Sequence, residues 1–114
     1  VCYTGTGVAR TVTHNLGVVP ELMIIKRRSG AEDWIVYSQP TGNTAALRLN
    51  SSIVPDVYIG YFNNTSPTTT NFTVGTVSGV NSSAVTYVAY LFATCAGVSK
   101  VGSYTGNGTT QTIN

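Results

Sequence analysis

The chain carries one histidine, His14 in "THNLGVVPE", and acid–base or nucleophilic chemistry would have to be built around it. Such chemistry needs a serine or cysteine within reach of the imidazole and a carboxylate to orient the ring. Serines are plentiful, but no GxSxG elbow or other local signature accompanies them. His14 reads instead as opening a turn that runs to Gly17, with Pro20 closing it before the next strand. The carboxylates are Glu21, Glu32, Asp33 and Asp56. A glycosidase would need two of them facing each other across a cleft, and Glu32 and Asp33 are already matched by the neighbouring "KRR". One histidine, two distant cysteines and four scattered carboxylates do not make a metal-binding set. "GTG" at Gly5–Gly7 and "GNG" at Gly106–Gly108 lack the continuation of a phosphate loop and read as turns. No catalytic, cofactor-binding or metal-binding residue is therefore expected, no cofactor, and no enzymatic activity.

The composition points the same way. Of 114 residues, 42% are apolar but only 9% are charged, against roughly 25% charged in an average domain. Thr, Ser, Asn and Gly must cover the surface in place of ions, as is common on extracellular and virion-surface β modules. The net charge of +2 rests on six basic residues, of which only Lys26, Arg27 and Arg28 adjoin, so no nucleic-acid footprint is expected. No apolar run approaches the ~20 residues of a membrane helix. Cys2 and Cys95 each sit beside a strand-like run and read as buried free thiols, with a bridge between them as the alternative in an oxidising compartment.

The elements that would position these residues are short strands. β-branched and aromatic runs broken by Gly, Pro, Asn and Ser predict strands at Cys2 to Thr4, Ala9 to His14, Leu22 to Arg27, Trp34 to Ser38, Ala45 to Asn50, Tyr58 to Phe62, Phe72 to Val77, Thr86 to Ala93 and Gly102 to Thr105. No window shows sustained helical periodicity. The expected fold is all-β, an antiparallel β-sandwich of jelly-roll type with about nine short strands and little or no helix. "SGA" at Ser29–Ala31 reads as a tight turn, placing Arg27 and Arg28 opposite Glu32 and Asp33. In "LRLN", Leu47 and Leu49 are expected inward and Arg48 and Asn50 outward. "YVAYLFA" is apolar on both faces and predicts a central strand covered on both sides.

Two surface features could recognise a ligand. The polar loops Asn63 to Asn71 and Asn50 to Asp56 have no strand face, and Asn63, Asn64, Thr65, Ser66, Thr68, Thr69, Ser51 and Ser52 are the candidate recognition residues. Trp34, Tyr37, Tyr58 and Tyr61 are candidate aromatic contacts for a glycan, with core packing as the alternative role. Exposure of these rings in a row would favour sugar binding; burial would favour a spacer.

The end of the chain repeats its beginning. Tyr3, Thr4, Gly5, Gly7 and Thr11 of "YTGTGVARTVT" match Tyr104, Thr105, Gly106, Gly108 and Thr112 of "YTGNGTTQTIN". A domain-sized period marks a tandem array. Residues 1–101 are thus read as one module and 102–114 as the first strand of a following one, expected to leave an unpaired edge and promote self-association.

The order of "THNLGVVPELMIIKRR", "DWIVYSQ", "LRLN", "YFNNTSPTTTNFTVG", "YVAYLFA" and "GVSKVGSYTGNG" resembles a β-rich module repeated in tail fibres and other virion-surface proteins of tailed bacteriophages and prophages. The resemblance spans essentially the whole chain. It implies a structural or adhesive module without a catalytic motif, located on the virion and assembled in the bacterial cytoplasm, where thiols stay reduced. It also implies a homo-oligomer, commonly a trimer, in contact with other virion proteins and with a host-surface glycan or protein. A carbohydrate-binding or adhesion module of a bacterial surface protein or secreted enzyme is the alternative reading of the same residues.

Overall fold

Runs rich in Val, Ile, Tyr and Thr favour extended backbone because branched and aromatic side chains pack well on a pleated surface. A computed structural model describes all 114 residues and places eight such runs in strands. They are β1 (Cys2–Thr4), β2 (Arg10–Thr13), β3 (Leu22–Arg27), β4 (Ile35–Ser38), β5 (Ala45–Arg48), β6 (Asp56–Val57), β7 (Asn71–Val74) and β8 (Thr86–Phe92), with one short helix, α1 (Ser78–Asn81). All pairings are antiparallel: a six-stranded sheet in the order β1-β8-β3-β4-β5-β6, and a two-stranded sheet of β2 and β7.

The core lies between these layers, so the fold is a sandwich with a six-and-two division. The large sheet supplies Tyr3, Met23, Ile25, Ile35, Tyr37 and Tyr87. The facing layer supplies Val12, Phe72 and Val74 from the small sheet, Tyr61 and Phe62 from a turn, and Val80 from α1. Aromatic rings knit the layers. Tyr3 stacks on its cross-strand partner Tyr87 at 5.3 Å and meets Phe72 edge-on at 6.0 Å, while Phe62 stands edge-on to Tyr37 at 5.5 Å. Such pairs contribute about 0.5 to 1.5 kcal/mol each beyond the area they bury.

The tyrosine hydroxyls cross the core to α1, a helix too short to satisfy its own backbone. Tyr3 Oη donates to Val80 O at 2.6 Å, and Tyr87 Oη donates to Ser78 O at 2.6 Å while accepting from Ser82 N at 2.8 Å. Burial holds Tyr3 well above the ordinary phenol range, with the neighbouring Tyr87 adding to the effect; burial also raises Tyr37. In the unfolded chain these phenols ionise near 10.0, so the fold binds their protons more tightly than the open chain does. The phenols' contribution to stability is therefore expected to be constant below pH ~10 and to be lost as pH rises above it. Chemical denaturation midpoints at about pH 9 and about pH 11 would show the drop, and equal midpoints would refute it.

Several expectations need correction. Tyr58 to Phe62 is a turn, because Asn63 and Asn64 take φ of 52° and 48° and Asn63 N donates to Ile59 O at 2.8 Å, closing a helical turn. Asn tolerates that left-handed region better than most residues. The strand expected at Gly102 to Thr105 is absent: that segment is exposed and joins neither sheet. β5 stops at Arg48 and is inverted by one residue, with Ala46 in the core and Leu49 62% exposed. A single-residue shift of register exchanges the two faces of a strand. The β3–β4 connection is long rather than tight, since the last pair is Ile25 with Ile35, although Gly30 does take φ of +84°.

Candidate functional site

His14 is 5% exposed and uses both ring nitrogens. Nδ1 accepts from Leu16 N at 3.2 Å, so Nε2 is the protonated nitrogen and donates to Thr68 O at 3.0 Å. The ring lies flat against Phe72, with centroids 6.4 Å apart. A histidine held this way pins a loop to the core. That loop is the polar stretch singled out from sequence: Asn63, Asn64, Thr65, Ser66, Thr68 and Thr69 are all exposed. Thr68 organises its interior by accepting from Thr70 N and Asn71 N through Oγ1 at 3.3 and 3.0 Å. Asn43 Nδ2 ties its far side by donating to Ser66 Oγ at 2.8 Å. Ser51 and Ser52 are exposed on a separate loop.

The carboxylates are all engaged in structural contacts. Arg48 gathers two of them, its Nη2 lying 3.1 Å from Asp56 Oδ2 and its Nε 3.3 Å from Asp33 Oδ2. Tyr61 Oη donates to Asp56 Oδ2 at 2.6 Å and accepts from Arg48 Nη2 at 3.1 Å. Burial, then the bond to Asp56, raises the Tyr61 phenol despite the opposing cation. Arg48 was read as a plain outward residue; it is instead the hub that fastens β5 and β6 to the turn carrying Tyr61. Asp33 pairs with Arg48, not across the hairpin, and only Arg27 with Glu32, at 3.9 Å, keeps the expected hairpin pairing. Glu21 accepts from Thr94 N and Oγ1 at 3.1 and 2.8 Å, holding the end of β8. No group of three or more His, Cys, Asp or Glu side chains is placed to hold a metal ion.

The aromatic candidates do not form a row. Tyr37 and Tyr61 are core residues, 4% and 6% exposed. Trp34 is half-buried and carries Lys26 Nζ over its ring at 5.8 Å. Tyr58 alone is open to solvent, edge-on to Tyr61. Both cysteines are free, but they are exposed rather than buried. β8 is central in the sheet, yet only one of its faces is covered. Tyr87 and Ala89 point into the core, while Tyr90 and Phe92 stay 47% and 44% exposed. Phe92, Leu16 and Val18 line one shallow apolar groove.

The residue that sequence reasoning missed is Asn81, fully buried at the end of α1. Its Oδ1 accepts from Thr6 N at 2.9 Å and its Nδ2 donates to Val8 O and Gly75 O at 2.7 and 2.6 Å. It holds the turn between β1 and β2 in place. In sequence Asn81 opens a glycosylation-type triplet in a Ser-rich stretch, and nothing local distinguishes it from a surface asparagine.

The chain is an antiparallel β-sandwich with a polar, weakly charged loop anchored to its core through His14, and it has no helix long and apolar enough to cross a membrane. The chain belongs to the family described as "Domain of unknown function (DUF7483)", whose model matches residues 1–113. No curated protein and no solved structure matches it.

Proposed function

We propose that this chain is a structural and adhesive module of a bacteriophage tail fibre or other virion appendage, without catalytic activity, contributing to attachment at the host surface. The observation that carries the reading is the Asn63–Asn71 loop, a polar uncharged segment fixed to the core through His14 and braced by Asn43. A loop held at both sides loses less conformational entropy on meeting a ligand than a free one would. A host glycan or protein would meet the hydroxyl and amide groups of Asn64, Thr65, Ser66 and Thr69. The exposed Tyr90, Phe92 and Val18 supply apolar surface of the kind that packs against other subunits. That surface suits a homo-oligomer, in keeping with the trimer implied by the resemblance, or contact with other virion proteins. Repetition then turns weak single contacts into avidity. Burial of Tyr37 and Tyr61 breaks the row of Trp34, Tyr37, Tyr58 and Tyr61 whose exposure would favour a carbohydrate-binding module. Cryo-electron microscopy of particles released by cells that encode the chain tests the proposal. The module is expected in a symmetric tail or capsid appendage with Asn63–Asn71 facing outward, and its absence from the particles overturns the reading.

A further inference from the structure

The two sheets treat their outer faces differently. On the small sheet the side chains turned away from the core are Thr11 opposite Thr73 and Thr13 opposite Asn71. Hydroxyls and amides are what an antiparallel sheet carries where it meets water. The large sheet does otherwise. Register sets Tyr90, Ile24, Val36 and Leu47 side by side across four strands, with Phe92 beside Leu22 on one flank and Val88 beside Lys26 on the other. By alternation these residues point away from Met23, Ile25, Tyr37 and Tyr87, which line the core. Val36 and Ala45 are buried yet take no part in the core cluster, which puts them on the floor of this outer face, while Tyr90, Phe92 and Val57 along it are 47%, 44% and 75% exposed. α1 and the small sheet both lie on the core side, so no strand or helix of the chain packs here.

The sequence of these strands calls for a second cover. Leu22–Ile25, Ile35–Tyr37, Ala45–Leu47 and Tyr87–Phe92 are apolar without a break, the pattern of strands buried on both faces rather than on one. The chain itself covers one. Five strands about 4.8 Å apart, each offering about five residues at ~3.3 Å, give a face of roughly 400 Å² in projection, and more once the relief of the side chains is counted. Two such faces pressed together bury about 1,000 Å², the size at which specific interfaces begin. Charge suits this face to its own copy. The one ion in these rows is Lys26, on a flank, where it donates to Glu32 O at 2.6 Å and lies over Trp34 at 5.8 Å. An unlike partner is selected by a matching pattern of charges; apolar rows without such a pattern match themselves.

We propose that the outer face of the large sheet is covered by the same face of a second copy, with Tyr90, Ile24, Val36 and Leu47 across the middle of the contact. Two six-stranded sheets then pack as the halves of a further sandwich. A face that packs on itself makes an isologous contact, which closes as a two-fold dimer. The inference deepens the homo-oligomer proposed above and rests on that part of the reading, and it sets the unit as a pair in place of the trimer implied by the resemblance.

The purified full chain tests this apart from any particle. Sedimentation at ~100 µM, above the micromolar limit of weak specific contacts, is expected to give twice the 12.0 kDa of one chain. Tyr90→Lys with Leu47→Lys puts cations at both ends of the central row and is expected to raise the dissociation constant about 100-fold or more. Thr11→Lys, on the polar outer face of the small sheet, is the control and is expected to leave it unchanged. Hydroxyl-radical footprinting of the unaltered chain does not depend on a variant folding. Oxidation of Tyr90 and Phe92 is expected to fall several-fold from dilute to concentrated protein, and that of Tyr58, which stands against Tyr61 of the core, to stay constant. A chain monomeric at the sedimentation concentration, a trimer, a dimer in which Tyr90 and Phe92 stay open, or a monomer whose Tyr90 is shielded only by phosphatidylglycerol vesicles overturns the proposal. Absence of the chain from virus particles would overturn the attachment reading and leave the dimer standing.

Discussion

Replacing Asn81 by alanine is expected to destabilise the fold by about 3 to 5 kcal/mol, out of the ~5 to 15 kcal/mol that holds a domain of this size together. The amide serves three backbone groups, Thr6 N, Val8 O and Gly75 O, of which only Val8 O has a second donor, Thr6 Oγ1 at 3.0 Å. Each buried group left unmet costs about 1 to 3 kcal/mol, and the vacated side chain leaves a polar void in place of packing. Asn81→Asp should be worse than Asn81→Ala, because both donors become acceptors facing the carbonyls of Val8 and Gly75 and a charge is buried among them. Urea denaturation followed by tyrosine fluorescence measures the difference. An alanine variant within about 1 kcal/mol of the parent would mean that Asn81 does not hold the β1–β2 turn.

Gly75→Ala is expected to cost on the order of 3 to 5 kcal/mol, an unusually large effect for one methyl group. At this point two stretches of backbone touch. Gly75 N donates to Tyr61 O, and Thr76 N and Val77 N both donate to Gly60 O, at 2.8, 2.8 and 3.1 Å. A Cβ on Gly75 would overlap the carbonyl of Gly60. A side chain in its path could rotate aside, but a carbonyl already accepting two hydrogen bonds cannot move without breaking them. The displaced segment carries Tyr61 and Phe62, so the cost spreads into the core. Gly102→Ala is the matched control, since nothing lies within 4 Å of its Cβ position; it should stay within about 0.5 kcal/mol of the parent.

What the sequence disclosed was whatever depends on near neighbours. Cys2–Thr4 and Leu22–Arg27 coincide with their expected bounds, and Thr86 opens β8 as read. The alternation of side chains along a strand is a local property, and so is the paucity of long helix. Tyr58–Phe62 failed because its apolar pattern outweighed the Gly60 and Asn63–Asn64 turn chemistry. β5 was turned over because "LRLN" alternates as well one way up as the other. The choice is made by Asp33, Asp56 and Tyr61, which claim Arg48 from elsewhere in the chain. Asn81 was illegible for the same reason: its amide serves residues 75 and 73 positions away in sequence. Of the candidate loops, Asn63–Asn71 could be read as polar and exposed, but the histidine that fixes it could be read only as part of a turn.

The pairing of β1 with β8 joins Cys2 to Val88, and this has a consequence for how the chain acquires its fold. On a ribosome adding about 5 to 20 residues per second, the first strand exists for several seconds before the only strand it can pair with has been made. β3 waits as well, since β8 must enter between it and β1. Contacts so distant along the chain form late and slowly, because the closure entropy of the intervening loop is met before any of the sheet's bonds repay it. The large sheet is therefore completed last, by insertion of its second strand, and nascent chains present two unmatched edges until Phe92 has emerged.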